Sequence, residues 1–569
     1  MSRRLRGAVL IALAAFAASP GIAAPSSQAE GEHGMVVTSQ HEASAVGRQI
    51  LAAGGNAVDA AVAVGYALAV TEPCCGNIGG GGFMLIHRAE GGDTVINFRE
   101  TAPQAATPGM FVDPSGAVMR EASLNGYRAI GVPGTVMGLD GALIKYGRLG
   151  RAAVMAPAIA LARDGFVLGA ADAATLAAKA ARLAKDPEAA RIFLRPDGTP
   201  YQPGERLVQS DLAAVLMLIA ARGPDAFYRG PIAAAVAAAA VVHGGILSPE
   251  DFAAYHVTEA APVSCSYRGY QVLSAPPPSA GGIILCEILG VLSGWDLAAS
   301  GAGSPQSLHL MAEAMRHAYV DRNSALGDPE FVADPRERLL SPGYAAAIRA
   351  AIDPEKATPS AALGPGIEPH ERAETTHYSI VDGEGNAVAV TYTLNGYFGA
   401  GVVAPGTGFL LNDEMDDFTA KPGAPNLFGL VQGTANAIAP GKRPLSSMTP
   451  TIVERDGRPV LVLGSPGGPR IITAVMETLT NILDFGMAPQ KAVAAPRFHH
   501  QWLPDTLYVE RGGFPAATLA ALRERGYRLA EQPPWGAVEL VAVNPNGDPG
   551  GKLLGVNDPR RPSGSAIGY

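Results

Sequence analysis

The sequence predicts an α+β fold in which antiparallel sheets are covered by helices. Three hairpins are the first observation, because pairs of alternating apolar runs stand on either side of turns that contain glycine. An Ala-rich region from 133 to about 350 is the second observation, because its apolar residues recur at helical spacing. Helices thus precede and follow the later hairpins, which indicates a layered arrangement of sheets and helices.

The first 24 residues have the sequence pattern of a secretory signal peptide, in which basic, apolar and small residues follow one another. Arg3, Arg4 and Arg6 precede a short apolar run at 10–18, and small residues follow up to Ala24. The apolar run is too short to span a bilayer, and the next stretch is polar. We therefore expect cleavage near Ala24 and an exported, soluble mature protein, since an ordinary buried helix would leave this order unexplained.

Local signals predict the remaining elements in order. Residues 34–70 are predicted as a strand and two helices, with Asn56 capping the second helix. Residues 81–100 are predicted as a hairpin with a Gly-Gly turn, and the stretch after 353, rich in Pro, Ala and Gly, as an exposed linker.

Strands dominate the last third of the chain. Two more hairpins turn at 383–385 and at the pair Asp456 and Gly457. A helix is expected from about 470 to 485, and further strands close the chain.

Composition and charge exclude some classes of protein. A chain of 569 residues is too long for one ordinary core, so it forms two domains or one large layered domain. It is 48% hydrophobic and 17% charged, with no compositional sign of disorder. The net charge is −9 and no dense Lys/Arg block follows the N-terminus, which disfavours nucleic-acid partners. After the signal, no stretch reaches a membrane-spanning length without charges or Gly/Pro breaks.

The four cysteines are too few for a disulfide framework. Cys74 and Cys75 are adjacent, so we expect that they can hardly bridge each other without strain. A bond between Cys265 and Cys286 requires an oxidising compartment, and the sequence leaves it open. No Cys/His spacing suits a structural zinc site.

The stretch ETTHYS, where a loop becomes a strand, offers a candidate nucleophile. If the bond between Glu374 and Thr375 is cut, Thr375 carries a free α-amine beside its hydroxyl. A threonine hydroxyl needs an adjacent base, and an α-amine titrates at about 7.7–8.0, which suits that task. The same hydroxyl can make the cut, by attacking the Glu374 carbonyl to form an ester that hydrolyses. A Thr-Thr pair that merely opens a strand is the other interpretation of this stretch alone.

Two further motifs carry groups that suit anions. In GSPGGPR, Gly467 and Gly468 stand between a strand and a helix, where their N–H groups can form an oxyanion hole or simply make a tight turn. In KRPLSSMTP, Ser446 and Ser447 have hydroxyls that can donate to a carboxylate or cap a turn.

An acidic motif carries groups that suit a cation. In LLNDEMDDF, Glu414, Asp416 and Asp417 follow an apolar strand. These carboxylates can hold an ammonium group, or they can form a solvated turn.

Together these stretches resemble the γ-glutamyltranspeptidases over nearly the whole mature chain. The resemblance rests on ten motifs in the family's order: NAVDAAVA, GNIGGGGF, NFRETAP, PPPSAGG, ETTHYS, VTYTLN, NDEMDDF, KRPLSSMTP, GSPGGPRI and RFHHQW. It implies the αββα sandwich of the N-terminal-nucleophile hydrolases, built jointly from a large subunit (25–374) and a small subunit (375–569) that are cut from one precursor and stay together. It further implies γ-glutamyl transfer and glutathione hydrolysis without a metal or organic cofactor. With the bacterial style of the signal, it suggests the periplasm.

The resemblance also assigns roles to residues. Thr375 becomes the nucleophile and the N-terminus of the small subunit, Thr393 hydrogen-bonds to it, and Gly467 and Gly468 form the oxyanion hole. The implied reaction carries the γ-glutamyl group of glutathione or another donor through a Thr375 ester to water, an amino acid or a peptide. The residues that match the ligands of the glutamyl head are Arg99, Ser446 and Ser447 for the α-carboxylate, and Asn395, Glu414 and Asp417 for the α-amine.

The chain departs from the family pattern in two places, and Asp416 is left outside the site. Phe428 lies in the segment 421–433, which resembles the lid loop of bacterial members, where tyrosine is common. Phenylalanine cannot hydrogen-bond to Asn395, so we expect looser closure, and the balance of hydrolysis and transfer stays open. Cys74 and Cys75 stand where the family usually has small or polar residues, and we expect them to contribute packing and no chemistry.

Some conspicuous residues are predicted to be structural. His499 and His500 are adjacent on a strand and point to opposite faces, which makes them poor partners for one metal. His377 alternates away from Thr376 and receives the same interpretation. The glycine run at 79–82 is predicted to serve close backbone packing rather than phosphate binding.

Two rival functions remain. The first is a cephalosporin or glutaryl acylase of the same fold. Its substrate's side chain has no α-amine for Glu414 and Asp417 to bind, which disfavours this function. The second is an exported binding protein that keeps the pocket, never matures and remains a single chain.

Overall fold

The computed structural model describes residues 27–364, 375–545 and 551–569. The predicted signal peptide (1–24) and Glu374 lie outside the described residues. In the described part, two seven-stranded sheets stack against each other and helices cover both outer faces. The predicted α+β class is confirmed, with the layer order αββα.

Nineteen strands are described and are numbered in chain order. They are β1 (Gln28–Gly31), β2 (Gly34–Thr38), β3 (Gly81–His87), β4 (Asp93–Asn97), β5 (Phe166–Val167), β6 (Arg206–Leu207), β7 (Thr258–Ala260), β8 (Val263–Tyr267), β9 (Tyr270–Ser274), β10 (Thr376–Asp382), β11 (Ala387–Thr393), β12 (Thr451–Arg455), β13 (Arg458–Gly464), β14 (Phe498–His499), β15 (Leu507–Glu510), β16 (Leu529–Gln532), β17 (Glu539–Val543), β18 (Leu553–Val556) and β19 (Ser565–Gly568).

Nineteen α-helices are described in the same residues. They are α1 (His41–Ala52), α2 (Ala57–Thr71), α3 (Arg120–Leu124), α4 (Thr135–Tyr146), α5 (Arg151–Asp164), α6 (Ala170–Leu183), α7 (Pro187–Phe193), α8 (Ser210–Arg222), α9 (Asp225–Tyr228), α10 (Pro231–Val242), α11 (Pro249–Ala254), α12 (Gly281–Leu292), α13 (Leu297–Ser300), α14 (Pro305–Ala325), α15 (Arg336–Leu339), α16 (Pro342–Ala351), α17 (Arg470–Leu483), α18 (Pro489–Ala494) and α19 (Ala516–Glu524).

Both large sheets are antiparallel throughout. The first has the strand order β1-β18-β17-β13-β12-β9-β8, and the second has the order β19-β2-β10-β11-β3-β4-β7. Two small sheets, β14-β15-β16 and β5-β6, lie outside them. Each large sheet contains strands from before and after residue 375, so the two parts of the chain interleave.

Three apolar layers hold the sandwich together. Side chains such as Phe83 and Ile452 fill the space between the sheets. Helix α2, whose residues are all buried, packs with α1, α4 and α5 on the outer face of the second sheet, and α12, α14 and α17 cover the first sheet. Strand β10 shows the alternation expected of a buried strand, because Ile380 joins the helix-side core and Val381 joins the core between the sheets.

Local signals predicted these elements well. The Asn56 side chain accepts hydrogen bonds from the N–H groups of Val58 and Asp59, both at 3.0 Å, and so caps α2 as predicted. Asp456 and Gly457 have φ values of 54° and 71°, which a tight hairpin turn between β12 and β13 requires. The helix expected from about 470 is α17.

The predicted linker is only partly exposed. Most of 353–359 is exposed, as expected, but Ser360 is fully buried. Its hydroxyl donates to the Trp502 carbonyl at 2.6 Å and accepts from Arg316 Nη1 at 2.6 Å. The expectation of an exposed linker is therefore wrong at this residue, because a long-range contact anchors it.

The expectation for the adjacent cysteines is also wrong. Cys74 and Cys75 are joined by a disulfide, and Cys265 and Cys286 by a second one. The first pair lies in the turn between α2 and β3, where the carbonyl oxygens of Cys74 and Cys75 accept hydrogen bonds at 2.8 Å from the N–H groups at 398 and 394. This turn therefore anchors the segment that follows β11.

One described stretch is long and apolar enough for a membrane span by length and composition. It covers residues 225–242, and half of it is buried. It consists of two helices, α9 and α10, separated at Gly230, which makes it weak evidence for a span.

The glycine run at 79–82 packs against neighbouring backbone, as predicted. A Cβ at Gly80 would lie 1.8 Å from the carbonyl oxygen of Thr393, and one at Gly82 would lie 2.3 Å from that of Thr391. Contacts this short leave no room for a side chain, so the run sets the position of β3 against the end of β11.

We expect Gly80→Ala to destabilise the protein, because its methyl group would push the Thr393 carbonyl out of place. Overpacking of this kind costs about 1–3 kcal/mol. Thermal unfolding should show a lower Tm for this variant. Gly109→Ala is the control, because no heavy atom lies within 4 Å of its Cβ position; equal melting of both variants would contradict the packing argument.

Candidate active site

A small cavity lies beyond the start of β10 and the end of β11. Its volume is about 20 Å³, room for little more than one water. Its lining comprises Arg99, Arg322, Thr375, Thr393, Asn395, Glu414, Asp417, Phe428, Leu430, Ser446, Ser447, Met448, Gly468 and Ile471.

The predicted site residues converge on this cavity. Nine of the ten described residues that the sequence assigned to the site line it, and Gly467 lines a larger cavity beside it. Glu374, the other half of the predicted cleavage site, lies outside the described residues. The roles of these residues remain predictions, but they share one small volume of the molecule.

The pairing of β10 with β11 sets the position of Thr375. Thr376 stands opposite Tyr392 in the antiparallel register, so one further step brings Thr375 opposite Thr393. Thr375 is 4% exposed and lines the cavity. The hydroxyl of Thr393 accepts a hydrogen bond from the N–H of Asn395 at 2.8 Å. The register therefore supports the predicted contact between the two threonines.

The neighbouring threonine points the other way and fixes the strand from behind. Thr376 Oγ1 donates to Glu72 Oε2 at 2.6 Å, and Ser39 Oγ donates to the same oxygen at 2.5 Å. Because side chains alternate along a strand, this anchor on the helix side turns Thr375 toward the cavity.

The two glycines of the predicted oxyanion hole lie between β13 and α17. Gly467 and Gly468 have φ values of 131° and 54°, conformations that favour glycine. In the 14-residue helix that follows, the N–H groups of Arg470 and Ile471 donate to the carbonyls of Gly467 and Gly468, both at 3.1 Å. The glycine carbonyls are therefore engaged by the helix start, and the N–H groups of the two glycines can be presented to a developing oxyanion.

Arg99 is the central charge of the cavity and is completely buried. Its Nη1 contacts Glu414 and its Nη2 contacts Asp417, and Nε donates to the Pro444 carbonyl at 3.2 Å. Burial by itself lowers the pKa of Arg99, but Glu414, Asp417 and Glu100 together raise it above its ordinary value. The guanidinium is therefore a permanent cation held between carboxylates.

The sequence did not predict this ion pair. Arg99, the predicted ligand of the donor's α-carboxylate, contacts Glu414 and Asp417, the predicted ligands of its α-amine. Burial raises the pKa of Glu414 well above its usual range, against the influence of Arg99. A ligand that carries both a carboxylate and an ammonium group can insert between these groups. Its carboxylate can then replace the protein carboxylates at Arg99, and its ammonium group can replace the guanidinium at Glu414 and Asp417.

Two serines complete the end of the cavity near Arg99. Ser446 Oγ accepts from the N–H of Met448 at 3.0 Å, and Ser447 Oγ accepts from Arg322 Nη2 at 2.7 Å. Arg322 comes from α14 and was not predicted as a site residue. In the sequence it is one of several charged residues on a long helix, and no local signal marks it as buried in the site.

The segment 421–433 closes the cavity. Phe428 is 4% exposed, and its carbonyl accepts from Gln501 Nε2 at 3.2 Å. Asp416, which the sequence left outside the site, does not line the cavity; it accepts from Ser123 Oγ at 2.6 Å and from the Leu427 N–H at 2.7 Å. Asp416 thus holds the closing segment rather than the ligand.

A larger cavity of about 910 Å³ lies on the other side of Phe428. Gly467, Arg470 and Trp535 belong to its wall, and the Arg470 guanidinium lies 4.5 Å from the centre of the Trp535 ring. This cavity has room for the part of a substrate that does not enter the small cavity.

The conspicuous histidines make structural contacts, as predicted. His377 is completely buried between Thr391 Oγ1 at 2.8 Å and Ser379 Oγ at 3.1 Å, and burial lowers its pKa to about 3. His499 contacts Gln501 Oε1 at 2.8 Å, and His500 accepts from the Trp502 N–H at 3.1 Å. His499 and His500 therefore contact different residues.

Comparisons with known proteins show the family of the chain. The Gamma-glutamyltranspeptidase family profile matches residues 43–568. A glutathione hydrolase proenzyme of Pseudomonas sp. (strain A14) is 53% identical over 543 residues, which are 95% of this chain and 94% of that protein.

Solved structures agree as well. A cephalosporin acylase from Bacillus halodurans has a TM-score of 0.84 and 29% identity, covering 97% of this chain and 98% of that one. The Helicobacter pylori γ-glutamyltranspeptidase structure has a TM-score of 0.56 and 43% identity, covering 57% of this chain and 93% of that one. The fold is that of the N-terminal-nucleophile hydrolases, and the chain belongs to the γ-glutamyltranspeptidase family.

Proposed function

We propose that this protein is an exported γ-glutamyl transferase and hydrolase that cuts itself before Thr375. It then cleaves the γ-glutamyl bond of glutathione and related compounds. One observation carries the proposal: the cavity at Thr375 contains a buried cation, Arg99, in contact with two carboxylates, Glu414 and Asp417. This arrangement suits a zwitterionic α-amino-acid head.

The glutamyl head binds by exchanging partners. The donor's α-carboxylate takes the place of the protein carboxylates at Arg99, and its α-amine takes the place of the guanidinium at Glu414 and Asp417. Ser446 and Ser447 donate to the α-carboxylate. Total charge is conserved in this exchange, so a zwitterion is favoured over a ligand with one charge.

Acylation begins at Thr375. Its hydroxyl oxygen attacks the γ-carbonyl carbon while its own α-amine takes the hydroxyl proton. The N–H groups at Gly467 and Gly468 stabilise the oxyanion. The carbon–nitrogen bond then breaks, the leaving amine receives the proton, and a γ-glutamyl ester on Thr375 remains.

Deacylation follows the same steps in reverse with a new nucleophile. Water, an amino acid or a peptide enters from the 910 Å³ cavity and attacks the ester carbonyl. The α-amine of Thr375 takes the proton of the nucleophile, and the Thr375 hydroxyl is restored. Glutamate or a new γ-glutamyl amide leaves.

The two parts of the cut chain stay together in this proposal. In the second sheet, β10 lies between β2 and β11, and β11 lies between β10 and β3. Strands of the proposed large subunit, 25–374, and of the small subunit, 375–569, therefore hydrogen-bond to one another along their length. The predicted signal peptide at 1–24 accounts for export, with the periplasm as the proposed location.

An acylase of the same fold is the second candidate, favoured by the likeness to the cephalosporin acylase. The buried carboxylates disfavour it, because an acyl group without an α-amine leaves Glu414 and Asp417 without a cationic ligand. A donor without the amine therefore separates the two candidates.

The cut before Thr375 is the first test of the proposal. Under denaturing conditions the purified protein should separate into two fragments, and N-terminal sequencing of the smaller one should begin at Thr375. Thr375→Ala should remain one chain and lose turnover of γ-glutamyl-4-nitroanilide by about a thousandfold or more. Thr375→Ser, which keeps a hydroxyl and an amine, should still be cut. An uncut chain that releases nitroaniline would overturn the mechanism.

The amine-binding role of Asp417 is tested with two donors. Asp417→Asn removes a charge that the donor's ammonium needs, so it should raise KM for γ-glutamyl-4-nitroanilide by about 10- to 100-fold. For glutaryl-4-nitroanilide, which has no α-amine, the variant should not lose activity relative to the wild type. A wild-type preference for the glutaryl donor would instead favour the acylase.

A further inference from the structure

Arg322 is a buried cation in the donor cavity with no assigned role. It is 1% exposed, and it extends from α14 to the cavity that Thr375 lines. Its Nε and Nη2 donate to Ser447 Oγ at 3.0 and 2.7 Å, and its Nη1 donates to Asn323 Oδ1 at 3.1 Å. Its hydrogen-bond partners among the described residues are therefore neutral.

The two arginines of the cavity differ in their counter-charges. Arg99 contacts Glu414 and Asp417 directly, whereas Arg322 forms no ion pair with a described carboxylate. Burial lowers the pKa of Arg322 to about 10, while the carboxylates keep that of Arg99 raised. A buried cation without a paired anion is costly, and an anionic ligand in the cavity would reduce that cost.

The hydroxyl of Ser447 connects this charge to the cavity. Its oxygen accepts two N–H groups of Arg322, so its own hydrogen must point away from the guanidinium. A hydroxyl polarised by a cation is a stronger donor to a carboxylate.

We infer that Arg322 is a positioning residue for the α-carboxylate of the donor, acting through Ser447. It orients the Ser447 hydroxyl toward the donor's carboxylate. It also adds a positive charge to the cavity, because the charge of Arg99 is already shared with two protein carboxylates, Glu414 and Asp417. This inference rests on the proposed function, because it names a determinant of donor recognition at the same site. A purely structural role, in which Arg322 only ties the Ser446–Ser447 segment to α14, is the competing explanation.

The test compares two donors that differ only in the α-carboxylate. These are γ-glutamyl-4-nitroanilide and 4-aminobutyryl-4-nitroanilide. Arg322→Gln should raise KM for the γ-glutamyl donor by about 10- to 100-fold with little change in kcat. It should leave kcat/KM for the 4-aminobutyryl donor unchanged. The Ki values of L-glutamine and 4-aminobutyramide as competitors give the same comparison without turnover.

Four more variants sharpen the result: Arg322→Lys, Ser447→Ala, the double variant of Arg322→Gln with Ser447→Ala, and Arg349→Gln. Arg322→Lys keeps the charge without the planar fork, so its KM should lie between those of the wild type and Arg322→Gln. Because Arg322 acts through one hydroxyl, adding Arg322→Gln to Ser447→Ala should cost little more than the worse single variant. Arg349→Gln is the control, since Arg349 donates to the carbonyls of Gly290 and Val291 and does not line the cavity.

The outcomes separate this inference from the proposed function. A wild-type protein that is not cut, or that does not turn over the γ-glutamyl donor, overturns the proposed function. If the wild type passes and Arg322→Gln weakens both donors equally, Arg322 is structural and the inference fails. Both donors are measured on the same preparation of each variant, so a loss of folded protein cancels from their ratio.

Discussion

The register of β10 is the constraint on which the site depends. Tyr378 pairs with Thr38 on one side and with Val390 on the other, so the strand is fixed between two neighbours. A slip of one residue would turn every side chain to the opposite face. Thr376 would then enter the cavity and Thr375 would face the helices. The contact of Thr376 with Glu72 opposes such a slip, because Glu72 follows the end of α2, on the helix side of the sheet.

Buried charge is the second determinant, and it explains why the cavity at Thr375 is so small. Arg99 contacts Glu414 and Asp417 across the space that a ligand would occupy, and Phe428 covers it. The ion pair keeps the empty site neutralised without admitting bulk water. Opening it requires groups of both signs, because removing one partner alone leaves an unpaired buried charge. Asp416 fixes the covering segment from outside, so closure and charge balance depend on neighbouring residues of one acidic motif.

The sequence predicted what short-range chemistry determines. The Asn56 cap, the turn at Asp456 and the hairpin strands all follow from neighbours in the chain, and the structure contains them. The site motifs were assigned only through their resemblance to a family, because each of them taken alone also suited a turn, a cap or an ordinary strand. The burial of Ser360 and the contact of Arg322 with Ser447 could not be predicted, since each depends on residues more than a hundred positions away. The disulfide at 74–75 was missed for a different reason, because adjacency argued against it.

Under the proposed function, donor selectivity follows from the same charges. A glutaryl group carries a carboxylate but no ammonium, so it can displace Glu414 or Asp417 from Arg99 only by leaving that carboxylate buried without a cation. Burial already raises the pKa of Glu414, so the displaced group would take up a proton rather than remain charged. A γ-glutamyl group brings its own cation and avoids this cost. The proposed function therefore makes discrimination between the two acyl groups depend on the acidic motif and not on the proposed nucleophile, Thr375, which would attack both carbonyls alike.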